Sequence, residues 1–513
     1  MNAQDIFHAL EGDRARSGTH GHVIGSSGAG KSFFLEYLLR EAITSHRGFC
    51  FLDWHGTTYA RLVQFLARFT PRRPIVLLNP SNPRRVIGFN PFLQNGVDIT
   101  TTVARRVDAT VKPWGAQNTN QTPTLERMLR MAYHFAVRAK ETLPNAELLL
   151  RFNHRSLVDY ALSVLTEPED DAVREDLEEL KASRTPKEWN DKVLSTKNRL
   201  GRFIGHSALQ TFLGLKEGNV NVRELVEKNA IVLVNLARSD HLDTEPAKVF
   251  AALLLNEFRE TAMRRAGTKK HYFLVLDEFQ EYITFDVAPM LDETRKGGIH
   301  LVLAHQRLGH LERDKELQDA IFTNCQVKAV FGGLPFKSAA IMANEMHLDR
   351  INERDVKETY YAQQVADYEV QYLDTETGTD TFRAESEDPT QVSLTHGKQR
   401  VSTPVFEQYV SGRAEWSREE KVSRLAQALR DQPRQRCIVK IQNQPAESFD
   451  VPTLKDYAIS PRLVENYENR IYSALNAPTL EDARLTVQKS REEFLQNARP
   501  KRKPTVAPKP PKF

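Results

Sequence analysis

Gly25-Ser26-Ser27-Gly28-Ala29-Gly30-Lys31-Ser32 is a run of residue types that can do chemistry only together. Successive backbone N–H groups converge on a phosphate where the turn is free of side-chain crowding, hence the three glycines. Lys31 at the end of such a loop reaches the β- and γ-phosphates, and the Ser32 hydroxyl ligates Mg²⁺. A helix beginning there points its positive end at the same anion. The run therefore implies ATP and Mg²⁺ as cofactors, with residues 25–32 as the phosphate cradle.

A second set of residues lies far downstream. Asp277 and Glu278 close the apolar run Phe273-Leu-Val-Leu276, 246 positions after Lys31. A carboxylate at the C-terminal end of a strand in an α/β sheet lies beside the phosphate loop. Asp277 is expected to hold Mg²⁺ through the ion's water shell, and Glu278 to orient and polarise the attacking water. Gln306 ends the next strand, Ile299–Ala304, where its amide can sense a γ-phosphate. The pair Arg295-Lys296 reads either as an exposed cationic pair or as a source of a transition-state arginine for a neighbouring subunit. Asp53 and His55, at the end of another strand, fit a structural or a functional role equally.

The elements that must position these residues follow from pattern. Gly21–Ile24, Gly48–Leu52 and Ile75–Leu78 are short apolar strands separated by helical periodicity, as over Ser32–Ala42. Such alternation implies a parallel sheet with helices on its faces. Between Ile99 and Val226 the signals are helical, punctuated by Pro113, Pro123, Pro144, Pro168 and Pro186. Strand signals resume at Ile231–Leu236, His271–Leu276, Ile299–Ala304 and Val327–Phe331. Helices are expected over Ser338–Met346 and Arg418–Arg430, a hairpin within Gln363–Val401, and a strand at Cys437–Ile441. The expected fold is α/β: a RecA-like parallel-sheet P-loop ATPase core with an all-helical insertion and a C-terminal extension. Residues 1–98 and 227–457 form the two parts of the core, 99–226 the insertion, and 458–513 a charged helical segment with a basic Pro-rich tail.

The chain has 513 residues, 40% apolar and 27% charged, the composition of a globular protein of several domains. No apolar run approaches the ~18 residues of a membrane-spanning helix, and the N-terminus has no signal-peptide pattern. A cytoplasmic location is expected. Cys50, Cys325 and Cys437 are too scattered for a zinc site or a disulfide framework. The net charge of +4 is patchy. Eight acids crowd Glu167–Glu179, which reads as a solvated helix face. Lys192, Lys197, Arg199 and Arg202 make a modest basic cluster, read as an exposed helix or a phosphate contact. Six bases and no acid occupy Arg499–Phe513, suiting either a DNA tether or a solubility device.

Taken in order, GSSGAGKS, FLDWHG, GFNPF, a helical stretch, NVRELVEKNAIVLVNL, FLVLDEFQEY and RKGGIHLVLAHQ resemble the type IV coupling proteins of conjugation (TraG/TraD type). These belong to the wider FtsK–HerA group of motor ATPases. The similarity is spread over roughly residues 20–335, and extends weakly to the Cys437–Tyr457 segment. It implies a hexameric ring that pumps DNA through a central channel with nucleotide between subunits. It also gives Lys31, Ser32, Asp277, Glu278, Arg295 and Gln306 the family's roles, Arg295 acting in trans. Two departures stand out: only some twenty residues precede the first strand, where coupling proteins carry membrane-spanning helices and HerA proteins a small β-barrel. The partners expected are DNA, further copies of the chain, and a relaxase with a secretion channel. The alternatives are a HerA-like motor serving a nuclease or effector in DNA processing or anti-phage defence, and a secretion or assembly ATPase that moves protein.

Overall fold

The computed structural model describes residues 1–12, 18–92, 98–114, 123–205, 207–268, 270–281, 287–311, 314–347, 356–381, 391–455 and 459–498. The tail Pro500–Phe513 lies outside them. Eleven strands occur among the described residues: β1 (Gly21–Ile24), β2 (Phe49–Asp53), β3 (Ile75–Leu78), β4 (Ile231–Asn235), β5 (Tyr272–Leu276), β6 (Ile299–His305), β7 (Val327–Phe331), β8 (Val356–Thr381), β9 (Gln391–Glu415), β10 (Arg436–Ile441) and β11 (Glu447–Asp450). The chain forms two units, one of residues 1–346 and 426–513, the other of 347–425.

In the first unit nine strands make one sheet in the order β11-β10-β7-β1-β6-β5-β2-β4-β3. From β7 to β3 every pairing is parallel. The central strands are buried along their whole length, as continuous runs such as Phe49-Cys-Phe-Leu52 and Phe273-Leu-Val-Leu276 require when helices cover both faces. β10 adds antiparallel to β7 and β11 antiparallel to β10. The three cysteines are buried in this unit.

Between β3 and β4 the described elements are all helical. Arg106, on the helix Ile99–Val111, ties them to the long helix Thr244–Arg264. Its guanidinium is 2% exposed, donates to Glu260 at 2.9 Å and pairs with Glu257. Within the helical segment Trp189 is fully buried and donates to the Leu150 carbonyl at 3.0 Å. The acidic stretch is only partly a solvated face. Asp170 is buried, 2.6 Å from His134 and 2.7 Å from Arg138, while Asp176 and Glu179 bind Arg127. Of the basic cluster, Lys192 pairs with Glu179 at 3.2 Å.

The C-terminal helices return to the first unit. On Pro461–Ala474, Tyr472 accepts from Asn82 at 2.9 Å and donates to the Leu77 carbonyl at 3.5 Å. On Leu480–Asn497, Phe494 packs on Phe135 and Tyr160 at 6.0 Å. The helix Ala3–Glu11 has no strong sequence signal, yet Asn2 caps it with Asp5 in a reciprocal box, and it buries Ile6, Phe7 and Leu10. In the second unit the expected hairpin is far longer than its turn-rich centre suggests, because β8 and β9 pair over 26 and 25 residues.

Candidate nucleotide site at the carboxyl edge of the sheet

The glycine-rich loop joins β1 to the helix Lys31–Thr44, and two of its glycines have backbone conformations that side chains resist. Gly28 has φ +76° and Gly30 φ +118°. A Cβ on Gly30 would stand 2.9 Å from the Cα of Gln435, and one on Gly25 2.4 Å from the Cβ of Phe331. The loop is thus gripped from outside. Gln435 N–H donates to the Ala29 carbonyl at 2.9 Å, Arg434 Nε to the Gly28 carbonyl at 3.1 Å, and Ser26 Oγ to the Gly332 carbonyl at 3.1 Å.

Lys31 is 5% exposed, and its ammonium donates to the carbonyls of Gly25 at 2.8 Å and Ser26 at 3.2 Å. Burial lowers its pKa, while Glu278 and Asp277 act the other way. The two carboxylates follow β5, two places from β1 in the sheet, with β6 between. Asp277 is 2% exposed, and its pKa is pushed up to about 7 by burial first, then by Asp53 and Glu278. A buried carboxyl held among like charges near the Lys31 ammonium is a setting that a divalent cation relieves. Of the two residues expected to hold Mg²⁺, Ser32 lies in the first turn of the helix after the loop and Asp277 directly follows β5.

Glu278 is held from both sides. Gln306 Nε2 donates to Oε1 at 2.9 Å and Gln280 Nε2 to Oε2 at 2.6 Å. Its backbone has φ +48°, a left-handed conformation that costs a non-glycine residue about 1 kcal/mol or more. Gln306 leaves β6 one residue after His305, whose Nε2 lies 2.7 Å from His22 Nε2 on β1. Burial holds the His22 pKa well below the usual value, so its ring enters this cross-strand bond neutral. Lys31, Ser32, Glu278 and Gln306 line one cavity of about 230 Å³ with residues 27, 28 and 30.

Asp53 has a structural task. Its carboxylate accepts from the backbone N–H of His55 at 3.0 Å and Tyr59 at 2.7 Å, fixing the turn into the helix Thr57–Phe69. His55 lines the cavity. So do four residues that the sequence did not single out: Phe33, Arg61, Arg434 and Gln435. Arg61 stacks 4.8 Å over the Phe33 ring and pairs with Glu36 at 2.8 Å. No local pattern could have found Arg434 and Gln435, some four hundred positions from the loop they grip.

Arg295 is not brought to this cavity. It lies in the turn Thr294–Gly297 before β6, at the opposite edge of the sheet, near His20 and His300. The seven residues of β6 separate that edge from Gln306, roughly 23 Å at ~3.3 Å per residue.

A parallel sheet with a phosphate loop after one strand and an Asp-Glu pair after another defines a P-loop ATPase fold. Residues 17–258 match the family model of the HerA helicase central domain, so the chain contains a HerA/FtsK-type P-loop ATPase domain. That match covers the phosphate loop and the helical segment and ends before Asp277. No curated protein matches the chain in sequence. Among solved structures it is similar to the bacterial conjugative coupling protein TrwBdeltaN70 in an unbound form, with a TM-score of 0.52, 14% identity, and coverage of 90% of this chain and 94% of that one. TrwB in complex with ADP and Mg²⁺ gives a TM-score of 0.51 at 14% identity, over 86% and 87% of the two chains. Identities this low show a shared fold. Among the described residues no helix is long and apolar enough to cross a membrane.

Proposed function

We propose that the protein is an ATP-driven DNA translocase working as a ring of identical subunits, hexameric like the coupling proteins it resembles, in the transfer of mobile DNA. The observation that carries this reading is the division of the chemistry between two edges of one sheet. The phosphate loop, Asp277, Glu278 and Gln306 occupy the carboxyl edge, and Arg295 occupies the other. Across roughly 23 Å of strand, Arg295 cannot serve its own chain's nucleotide. It serves one bound to a neighbour, which makes hydrolysis depend on assembly.

Within a subunit, the N–H groups of residues 25–32 and the Lys31 ammonium bind the phosphates, with Mg²⁺ at Ser32 and Asp277. That ion would neutralise charge on the phosphates. Glu278, fixed by Gln306 and Gln280, orients the attacking water and takes up its proton. The bond from Gln306 gives a way for the state of the phosphate to be felt at β6, the strand whose far end carries Arg295. The likeness to TrwB, described with ADP and Mg²⁺, supports this assignment of cofactors.

The test is the hydrolysis rate with and without DNA, read beside the mass in solution with a non-hydrolysable ATP analogue. DNA should accelerate hydrolysis, and the analogue should drive assembly. Arg295→Ala should retain ATP binding and lose most turnover, a transition-state arginine being worth ~10³–10⁵ in rate. Mixing it with Lys31→Ala protein should restore activity, because one subunit then supplies the pocket and the other the arginine. Rings containing both variants without rescue would defeat the trans role. Hydrolysis indifferent to DNA of either strandedness would favour an ATPase that moves protein.

A further inference from the structure

The 347–425 unit consists largely of the β8–β9 ribbon, which pairs with no other strand of the described residues. Twenty-six residues at ~3.3 Å each make it roughly 85 Å long. A two-stranded ribbon is at best marginally stable alone in water, and one this long requires something to cover it.

Its register divides the side chains between two unequal faces. Val365 pairs with Phe406 and Asp367 with Val405, so Ala366 is bulged out and the alternation of β8 reverses phase there. Without the bulge, Tyr361 and Val365 would share a face with Asp367 and Glu369. With it, they share a face with Tyr368, Val370 and Tyr372. β9 runs without interruption from Val410 to Arg400 and contributes Val410, Phe406 and Pro404 to the same side, with Gln408, Ser402 and Arg400 between and beyond them. The other side takes the acids Asp367, Glu369 and Glu407 among a sparser apolar set, Tyr360, Leu373, Val405 and Tyr409. All seven large apolar residues of the first face are exposed, from 36% for Val370 to 64% for Tyr361.

We infer that this face packs against the same face of a second copy of the chain, giving a two-fold, two-layered β-sandwich. Four aromatic rings and three valines at these exposures present roughly 700 Å² of apolar surface, taking ~150–250 Å² per ring. About 800 Å² per partner is what a stable interface buries, and two stacked ribbons supply it with sheets ~10 Å apart. Charge points the same way. The two strands carry eight acidic and four basic residues, an unsuitable surface for nucleic acid, whereas the acids at the ribbon's middle lie on the outer side of such a sandwich. The patch holds no acid and one base, Arg400 opposite Tyr372 at its end, so a two-fold contact centred on Val365 and Tyr368 keeps the two copies of that charge apart. The contact is distinct from the nucleotide-dependent ring, because Arg295 and the phosphate loop take no part in it.

The experiment is the mass in solution of the full chain without nucleotide, for the wild type and for Tyr368→Glu/Phe406→Glu. The wild type should be a dimer at micromolar concentration. The variant should dissociate at least about thirtyfold more readily, the scale of one hot-spot residue, because carboxylates then oppose each other across the two-fold axis. Affinity for a fluorescent ADP analogue should be unchanged in the variant, showing that the first unit is folded. A wild type that is monomeric without nucleotide, or a variant of the same mass as the wild type, overturns the inference. So does a variant of unchanged mass that loses DNA binding, which would assign the face to nucleic acid. A chain whose hydrolysis is stimulated by DNA but which is monomeric without nucleotide would sink this inference and leave the motor standing.

Discussion

Replacing Gln306 tests whether the clamp on Glu278 matters to hydrolysis. Gln306 Nε2 donates to a carboxylate that is 6% exposed, at 2.9 Å, and the other oxygen is held by Gln280. A hydrogen bond to a charged group is worth about 1.5–3 kcal/mol, against about 1 for a neutral pair. If Glu278 works only in the clamped rotamer, Gln306→Ala should lower kcat by roughly ten- to a hundredfold, with nucleotide affinity within about twofold. Gln306→Glu is the sharper change, because it sets a second carboxylate within contact of Glu278. The two acids then share a proton near neutral pH, so activity should be lower still and should partly recover as the pH falls. The assay is single-turnover hydrolysis with saturating Mg-ATP over pH 5.5–9, beside titration with a fluorescent nucleotide. An unchanged kcat in Gln306→Ala, or a loss explained entirely by weaker binding, would refute the clamp.

Glu278→Gln should bind ATP normally and fail to turn it over, holding the protein in its assembled form; normal turnover would remove Glu278 from the mechanism. Arg434→Ala removes the bond to the Gly28 carbonyl while the backbone grip of Gln435 stays, so nucleotide affinity should fall by roughly two- to tenfold, the worth of one hydrogen bond, and unchanged affinity would make Arg434 a bystander. Arg106→Ala should cost about 3–5 kcal/mol in chemical denaturation, since Glu257 and Glu260 remain buried without their partner. Burial, with Glu260 beside it, raises the Glu257 pKa to about 7 against the Arg106 charge, so its contribution is full below pH ~4.5 and about 3 kcal/mol is lost as the pH rises to ~7. In Arg106→Ala that decline should steepen and extend above pH 7, and a cost under about 1 kcal/mol at pH 8 would count against a buried triad.

Much of this protein is legible in its sequence because its signals are local. A phosphate loop needs its glycines, lysine and serine consecutively, and a strand buried on both faces needs an unbroken apolar run, so β1 to β7 and the helical stretch between β3 and β4 lie where the pattern places them. Weak local signals fared worse. The helix Ala3–Glu11 rests on a cap and three apolar residues, β11 is four residues long, and the ribbon alternates too irregularly, across a bulge, for its length to show. What the sequence could not contain was order in space. It puts Asp277-Glu278 before Gln306, but only the sheet decides that β6 lies between β1 and β5, bringing the Gln306 amide onto Glu278. Only the parallel pairing of β6 with β1 and β5 puts Gln306, rather than Arg295, on the edge of the phosphate loop and Glu278, and only β10, added antiparallel to β7, swings Arg434 and Gln435 against the loop at Gly28 and Gly30. Residue types and spacings determine which chemistry the chain can carry, because a phosphate is bound by neighbours along the backbone. Which residues meet across hundreds of positions is set by strand order and pairing direction, which long-range burial selects and no local spacing records.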